Sequence, residues 1–112
     1  MKPLELAEET LVVISSDMGR TPRVGDALSP TGRNHWNMCQ TALLAGGGIR
    51  GGQVYGASDR IAAYPKDKPV RPEDLAATIY QALGISDDLW VQDTQGRPYH
   101  LLENGSPLPL FG

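Results

Sequence analysis

The sequence predicts a small α/β fold with few strands and one clearly marked helix, and three observations carry that expectation. Leu11-Val12-Val13-Ile14 is an unbroken apolar run, too short and too β-branched for a helix, and reads as a strand of a parallel sheet covered on both faces. Arg71-Pro72-Glu73-Asp74 opens a helix with proline at its first position and acids in its first turn. Leu75, Ile79 and Leu83 then form a stripe to pack on the sheet, and Gly84 stops it. Thirteen glycines and nine prolines concentrate at 19–32, 46–56, 65–72 and beyond 96, so regular structure is sparse and the loops are specific turns.

A chain of 112 residues has room for a single domain, spanning 1–112. The net charge of -3 and the pI near 5.2 come from interspersed charges without a basic run, which argues against nucleic acid and anionic membrane as partners. The lone cysteine, Cys39, has no internal disulfide partner. No N-terminal apolar segment is long enough for a signal peptide or a membrane span, so the chain as written is expected in the cytoplasm.

In chain order, residues 3–9 read as the last turn or two of a helix or its connector. Nothing before Leu11 supplies the strand and crossover of a βαβ unit. The apolar run then exits into Ser15-Ser16-Asp17-Met18-Gly19-Arg20-Thr21-Pro22. Ligands of open α/β sheets bind beyond the carboxyl ends of strands, so Asp17 and Arg20 are aimed at a ligand there; the bland alternative for Asp17 is an Asx-turn or a helix cap. Gly32-Arg33-Asn34-His35-Trp36 follows a loop, and His35 is either a surface cap or a ligand. A carboxylate and an imidazole in loops at one end of a sheet suit zinc or a similar divalent ion.

Residues 40–45 read as a strand leading into Gly46-Gly47-Gly48-Ile49-Arg50-Gly51-Gly52. Gly46, Gly48 and Gly51 match the dinucleotide fingerprint in form. The fingerprint needs a helix next, and Gln53-Val54-Tyr55-Gly56 does not start one, so a tight turn between two strands is expected. Residues 58–70 read as a polar loop, 85–90 as a turn, 92–97 as a glycine-centred loop and 98–102 as a short edge strand in which His100 is structural.

Four segments taken together resemble a known family. They are Ser-Ser-Asp-Met-Gly-Arg-Thr-Pro (15–22), Gly-Arg-Asn-His-Trp (32–36), Leu-Leu-Ala-Gly-Gly-Gly-Ile-Arg-Gly-Gly-Gln-Val-Tyr-Gly-Ala-Ser-Asp (43–59) and Asp-Leu-Ala-Ala-Thr-Ile-Tyr-Gln-Ala-Leu-Gly-Ile (74–85). The series resembles the C-terminal portion of an uncharacterised sulfatase-like family, "domain of unknown function fifteen-oh-one", in the alkaline phosphatase and sulfatase superfamily.

That resemblance implies an alkaline-phosphatase-like α/β/α sandwich, of which this chain would be a C-terminal fragment, and a metal-dependent hydrolase site at the carboxyl ends of the strands. It also implies frequent export of full-length members. By position it makes Asp17 and His35 metal ligands and Arg20 an anion or structural contact. The metal would be zinc, calcium, magnesium or manganese. Asn34 stands where the family usually has aspartate. The superfamily's nucleophile and remaining ligands would lie upstream of these residues, so no catalytic residue is assigned in this chain.

Two functions are therefore weighed: part of a metal-dependent phosphate or sulfate ester hydrolase, inactive alone, or a non-enzymatic binding or assembly module retaining the motifs. Asp59, Asp67, Asp74 and His100 are the other residues whose placement could complete a ligand set. A chain with an apolar strand and little to cover it is expected to self-associate, to pair with a chain supplying the missing strands, or to fold poorly when alone.

Overall fold

The computed structural model describes residues 3–28 and 30–112. It is a mixed α/β chain, with two helices and eight short strands among the described residues. Helix α1 (Pro3–Glu9) leads into β1 (Leu11–Ile14), followed by β2 (Gly19–Arg20), β3 (His35–Trp36), β4 (Leu43–Gly46), β5 (Ala57–Ser58) and β6 (Pro65–Asp67). Helix α2 (Pro72–Ala82), β7 (Trp90–Gln92) and β8 (Pro98–His100) complete the order. The described strands form four separate two-stranded ribbons, β1-β4, β2-β3, β5-β6 and β7-β8, all antiparallel.

The strand at Leu11–Ile14 forms where its β-branched residues place it, but its surroundings differ from the expectation. Its partner is antiparallel β4, in the register Leu11↔Gly46, Val12↔Ala45, Val13↔Leu44 and Ile14↔Leu43. Burial alternates along it: Leu11 and Val13 are half-buried, while Val12 and Ile14 are exposed. An apolar run specifies extended backbone, but neither the direction of its partner nor the presence of cover is encoded in its own residues.

The helix boundaries follow from local chemistry. At the start of α2 the Asp74 carboxylate accepts the Arg71 backbone N–H at 3.0 Å, closing the first turn as a capping residue does. At its end Gly84 takes φ +77. Its N–H bonds the Gln81 carbonyl at 3.0 Å, and the Ile85 N–H bonds the Tyr80 carbonyl at 2.9 Å. Those two bonds make a Schellman cap, which glycine serves because it carries no Cβ penalty at positive φ.

What α2 buries is not the leucine stripe. Leu75 and Ile79 are half-buried and Leu83 is 67 % exposed, whereas Ala77 and Thr78 are the side chains that disappear from solvent. The C-terminal tail covers them. The Thr78 hydroxyl donates to the Asp74 carbonyl at 2.7 Å and accepts the Leu108 N–H at 2.9 Å. Asp74 also accepts the Ser106 N–H at 3.1 Å, and the Arg71 guanidinium donates to the Asn104 carbonyl. Gly105 passes so close that a Cβ there would sit 2.2 Å from the Glu73 carbonyl oxygen. The tail then reaches the glycine turn, where Arg50 N–H bonds the Leu110 carbonyl at 2.8 Å and Gly112 N–H bonds Gly48 at 3.0 Å, with an Ile49–Phe111 bridge between.

Two segments read as loops contain ribbons. Within 58–70, Asp59 organises a turn by accepting Ala63 N–H on its carboxylate at 2.8 Å while its N–H bonds Tyr64 at 2.9 Å, and β5 pairs with β6. Residues 90–92, read as turn and loop, pair with the expected edge strand at 98–100. The Asp93 carboxylate holds that hairpin, accepting Gln95 N–H, Arg97 N–H, Arg97 Nε and the Tyr99 hydroxyl at 2.7–2.8 Å. These bonds, the Arg97 backbone N–H foremost, keep the Asp93 carboxyl down at about 2 against the opposing effect of burial.

The assembled chain is open. Its radius of gyration is 17.5 Å, against about 13 Å for a compact domain of this length. Its accessible surface is 8541 Å², against about 6,000 Å² for a compact protein of this mass. No described helix is long and apolar enough to cross a membrane.

Candidate functional site

The exit of β1 builds the site in three steps. First, the Ser16 hydroxyl lies 2.9 Å from the Met18 carbonyl and 3.0 Å from Gln40 Oε1, which turns the chain at Asp17. Second, Gly19 packs against residues 36–39 so tightly that a Cβ would lie 1.9 Å from the Cys39 carbonyl oxygen and 3.1 Å from that of Trp36. Only glycine allows this approach, which accounts for the glycine in Gly-Arg-Thr-Pro. Third, β2 pairs with β3 in the register Gly19↔Trp36 and Arg20↔His35.

That register brings Arg20 and His35 together. Directly opposed residues of an antiparallel pair project to the same side with Cβ atoms about 4.5–5.5 Å apart. Asp17 lies three residues before Arg20, within about 11 Å of chain even when fully extended. The register therefore opposes Arg20 and His35 although they are 15 residues apart in sequence, and Asp17 precedes the Gly19–Trp36 end of the same ribbon. All three are exposed. Among the described residues neither the Asp17 carboxylate nor the His35 ring makes a hydrogen bond or ion pair.

The loop joining β2 to β3 is pinned at its base. Thr21 N–H bonds the Asn34 carbonyl at 2.9 Å, the Thr21 hydroxyl accepts Asn34 N–H at 3.1 Å and donates to the Arg23 carbonyl at 3.1 Å. Asn34 Oδ1 accepts the His35 N–H at 2.8 Å. Asn34 thus holds the backbone on which His35 sits, a task that its amide oxygen performs as well as a carboxylate oxygen. Higher in the loop Gly25 N–H bonds Gly32 at 2.8 Å. Behind His35, Trp36 donates its indole N–H to the Ala63 carbonyl at 2.7 Å and meets Tyr64 edge-on at 5.7 Å, tying β3 to the β5–β6 ribbon.

Ser16, Thr21, Asn34 and Gln40 are positioning residues that sequence reasoning missed. Thr21 and Asn34 carried a local signal, since short polar side chains beside a turn often bond nearby backbone. The Ser16–Gln40 contact carried none.

The remaining candidates lie elsewhere in the fold. Asp59 makes its turn, Asp74 caps α2 with its pKa lowered chiefly by the Arg71 N–H, Asp67 ends β6, and His100 stacks on Trp90 with ring centroids 3.9 Å apart. Among the described residues no three His, Cys, Asp or Glu side chains converge on a common point. Two open grooves, of about 340 and 500 Å³, lie beside α1 and the glycine turn, not at Asp17 and His35. Gly46, Gly47 and Gly48 all take positive φ, and the next element after Gly51 is strand β5 and not a helix, so the glycine run forms a turn and not a dinucleotide cradle.

The architecture defines a mixed α/β protein in which Arg20 and His35 are exposed and opposed on a short ribbon. The family described as "Protein of unknown function (DUF1501)" matches residues 1–109, and the chain belongs to that family. No curated protein and no solved structure matches it.

Proposed function

We propose that this chain carries part of a metal-dependent phosphate or sulfate ester hydrolase site of the sulfatase and alkaline phosphatase type, within a larger α/β/α sandwich. In this reading Asp17 and His35 hold a divalent ion and Arg20 binds the anionic end of the ester. One observation carries the proposal: the β2–β3 register opposes Arg20 and His35, on the ribbon that Asp17 leads into.

The donor set fits such an ion. A carboxylate oxygen and an imidazole nitrogen suit zinc or manganese, and both side chains are exposed and unengaged by other side chains. A bound divalent ion supplies Lewis-acid polarisation of the ester oxygens and a lowered pKa for water. Arg20 presents a planar fork of donors that matches a phosphoryl or sulfuryl group and orients it beside the ligands. Asn34 fixes the His35 backbone, and Gly19 lets β2 approach the 36–39 segment so that Arg20 meets His35. Two protein ligands leave most of the coordination shell to water, so this chain alone does not turn over an ester.

Calorimetry with zinc and with manganese tests the reading. Weak binding of one equivalent, lost in both Asp17→Ala and His35→Ala, is expected, with no hydrolysis of aryl phosphates or sulfates above a metal-only blank. Tight binding that survives His35→Ala, or no binding at all, would reject the ligand assignment. Turnover abolished by Asp17→Ala would instead demand a complete site in this chain. The non-enzymatic alternative, an assembly module, is favoured by a different observation, the bare face of the β1–β4 ribbon.

A further inference from the structure

The hairpin from Gly19 to Trp36 carries Arg20, Arg23 and Arg33 against one acid, Asp26, a net +2 in a chain of net -3. All three arginines are exposed. Arginines elsewhere serve the fold: Arg50 donates to the Pro109 carbonyl, Arg71 to the Asn104 carbonyl and Arg97 to the Asp93 carboxylate. Among the described residues Arg20, Arg23 and Arg33 make no side-chain hydrogen bond or ion pair. The Asp26 carboxylate accepts the Leu28 N–H at 2.8 Å. Two cross-arm bonds bracket the arginines. Thr21 N–H meets the Asn34 carbonyl at 2.9 Å and Gly25 N–H the Gly32 carbonyl at 2.8 Å, so Arg23 lies between these rungs on one arm and Arg33 on the other. Thr21 Oγ1 fixes the backbone of both arms, donating to the Arg23 carbonyl and accepting Asn34 N–H, each at 3.1 Å. Arg33 is two residues from His35, at most about 7 Å of chain, and His35 opposes Arg20.

We infer that this hairpin binds a small polyanion, so that the substrate of the proposed site carries at least two phosphate or sulfate groups. Arg20 takes the ester group, and Arg23 and Arg33 take a second oxyanion of the same molecule. The inference rests on the reading of Arg20 as the contact for the ester's anionic end, and it adds the substrate class. Charge complementarity selects the occupant. Like charges held on one short hairpin repel one another and destabilise the compact state until a counter-ion meets them. The chain is acidic outside the hairpin, yet among the described residues no carboxylate is set against these three arginines. A guanidinium offers a fork of N–H donors that matches the oxygens of a phosphoryl or sulfuryl group. The rungs fix the backbone at Arg23 and Arg33 in advance, so less ordering is lost on binding. The acidic remainder of the chain repels a long polyanion running past the hairpin and favours a compact one.

Amide NMR titration of the full chain in EDTA at low salt tests this apart from any metal. Inorganic tripolyphosphate and sucrose octasulfate are the probes, and orthophosphate is the single-anion reference. At least one polyanion should bind about tenfold or more tighter than orthophosphate, shifting residues 20–23 and 32–35, with an affinity that falls as salt rises. Preference for tripolyphosphate assigns phosphate groups to the substrate, and preference for sucrose octasulfate assigns sulfate groups. Arg23→Gln and Arg33→Gln, at exposed positions where glutamine keeps the fold, should each weaken binding about threefold. Arg60→Gln, an equal loss of charge at an exposed residue outside the hairpin, should leave it unchanged. Polyanion binding no tighter than orthophosphate, shifts centred outside the hairpin, equal weakening by Arg60→Gln, or tighter binding of a single-stranded DNA oligonucleotide would overturn the inference. Absence of zinc and manganese binding beside intact polyanion binding would strike the assignment of Asp17 and His35 and leave the hairpin as an anion site; the converse would strike this inference alone.

Discussion

Helix α2 with the C-terminal tail and the β1–β4 ribbon with its neighbouring site are held together in opposite ways. Around α2, a fully buried threonine is satisfied on both sides by the helix and the tail, and Gly105 sits where no larger residue fits. In the ribbon, half of the strand residues face solvent, and the polar residues at its exit bond backbone and leave Asp17 and His35 unengaged. The contrast separates residues that hold the fold from residues that the fold displays. A side chain that is exposed, unengaged and positioned by its neighbours' hydrogen bonds is free to bind something else; one that is buried and doubly bonded is not.

Substitutions can break this contrast, and the largest effects should fall where backbone is closest. Gly19→Ala and Gly105→Ala place a Cβ 1.9 and 2.2 Å from carbonyl oxygens, and each is expected to cost about 1–3 kcal/mol or more, as overpacking does. Urea melts followed by circular dichroism measure this. Thr78→Val keeps the shape but leaves the Leu108 N–H unpaired in a part-buried contact, an expected loss of about 1–3 kcal/mol. A neutral result at Thr78 would mean that the tail does not close on α2.

Acid distinguishes the regions next. The Asp93 carboxyl lies at about 2 in the folded hairpin and at 3.8 unfolded. A depressed folded value means that the stability it contributes is fully present above 3.8 and is lost as pH falls through about 2. The β7–β8 hairpin should therefore loosen between those limits, reported by Trp90 fluorescence, and Asp93→Asn should remove that transition.

The smallest effects should come from the site itself. Asp17→Ala and His35→Ala are expected to change stability by less than about 0.5 kcal/mol, as exposed substitutions without partners do. A loss above about 1 kcal/mol at either would make that residue structural. It would also remove the reason for reading the pair as ligands.

The same contrast explains what the sequence disclosed. Leu11–Ile14, α1 and the two ends of α2 were legible because β-branching, proline at the first helical turn and a stopping glycine act locally. The cover on α2 was not: Leu75, Ile79 and Leu83 predict a stripe against a sheet, but the tail from Asn104 to Leu110 claims Ala77 and Thr78 through bonds between residues 30 or more apart. The antiparallel partner of β1 was likewise set at a distance. At the site, Asp17, Arg20 and His35 stood out as residue types in a motif, while the means of holding them, Gly19 against Cys39 and Asn34 under His35, became visible only once β2 and β3 were paired.

Whether Asp17 and His35 serve one ion is tested most directly by manganese titration of the isotopically labelled chain, followed by paramagnetic broadening in its amide NMR spectrum. Broadening should appear first, and together, at residues 16–21 and 33–36, and should vanish in Asp17→Ala. Broadening confined to one of the two segments, or centred on Asp59, Asp67 or Asp74, would contradict the shared site.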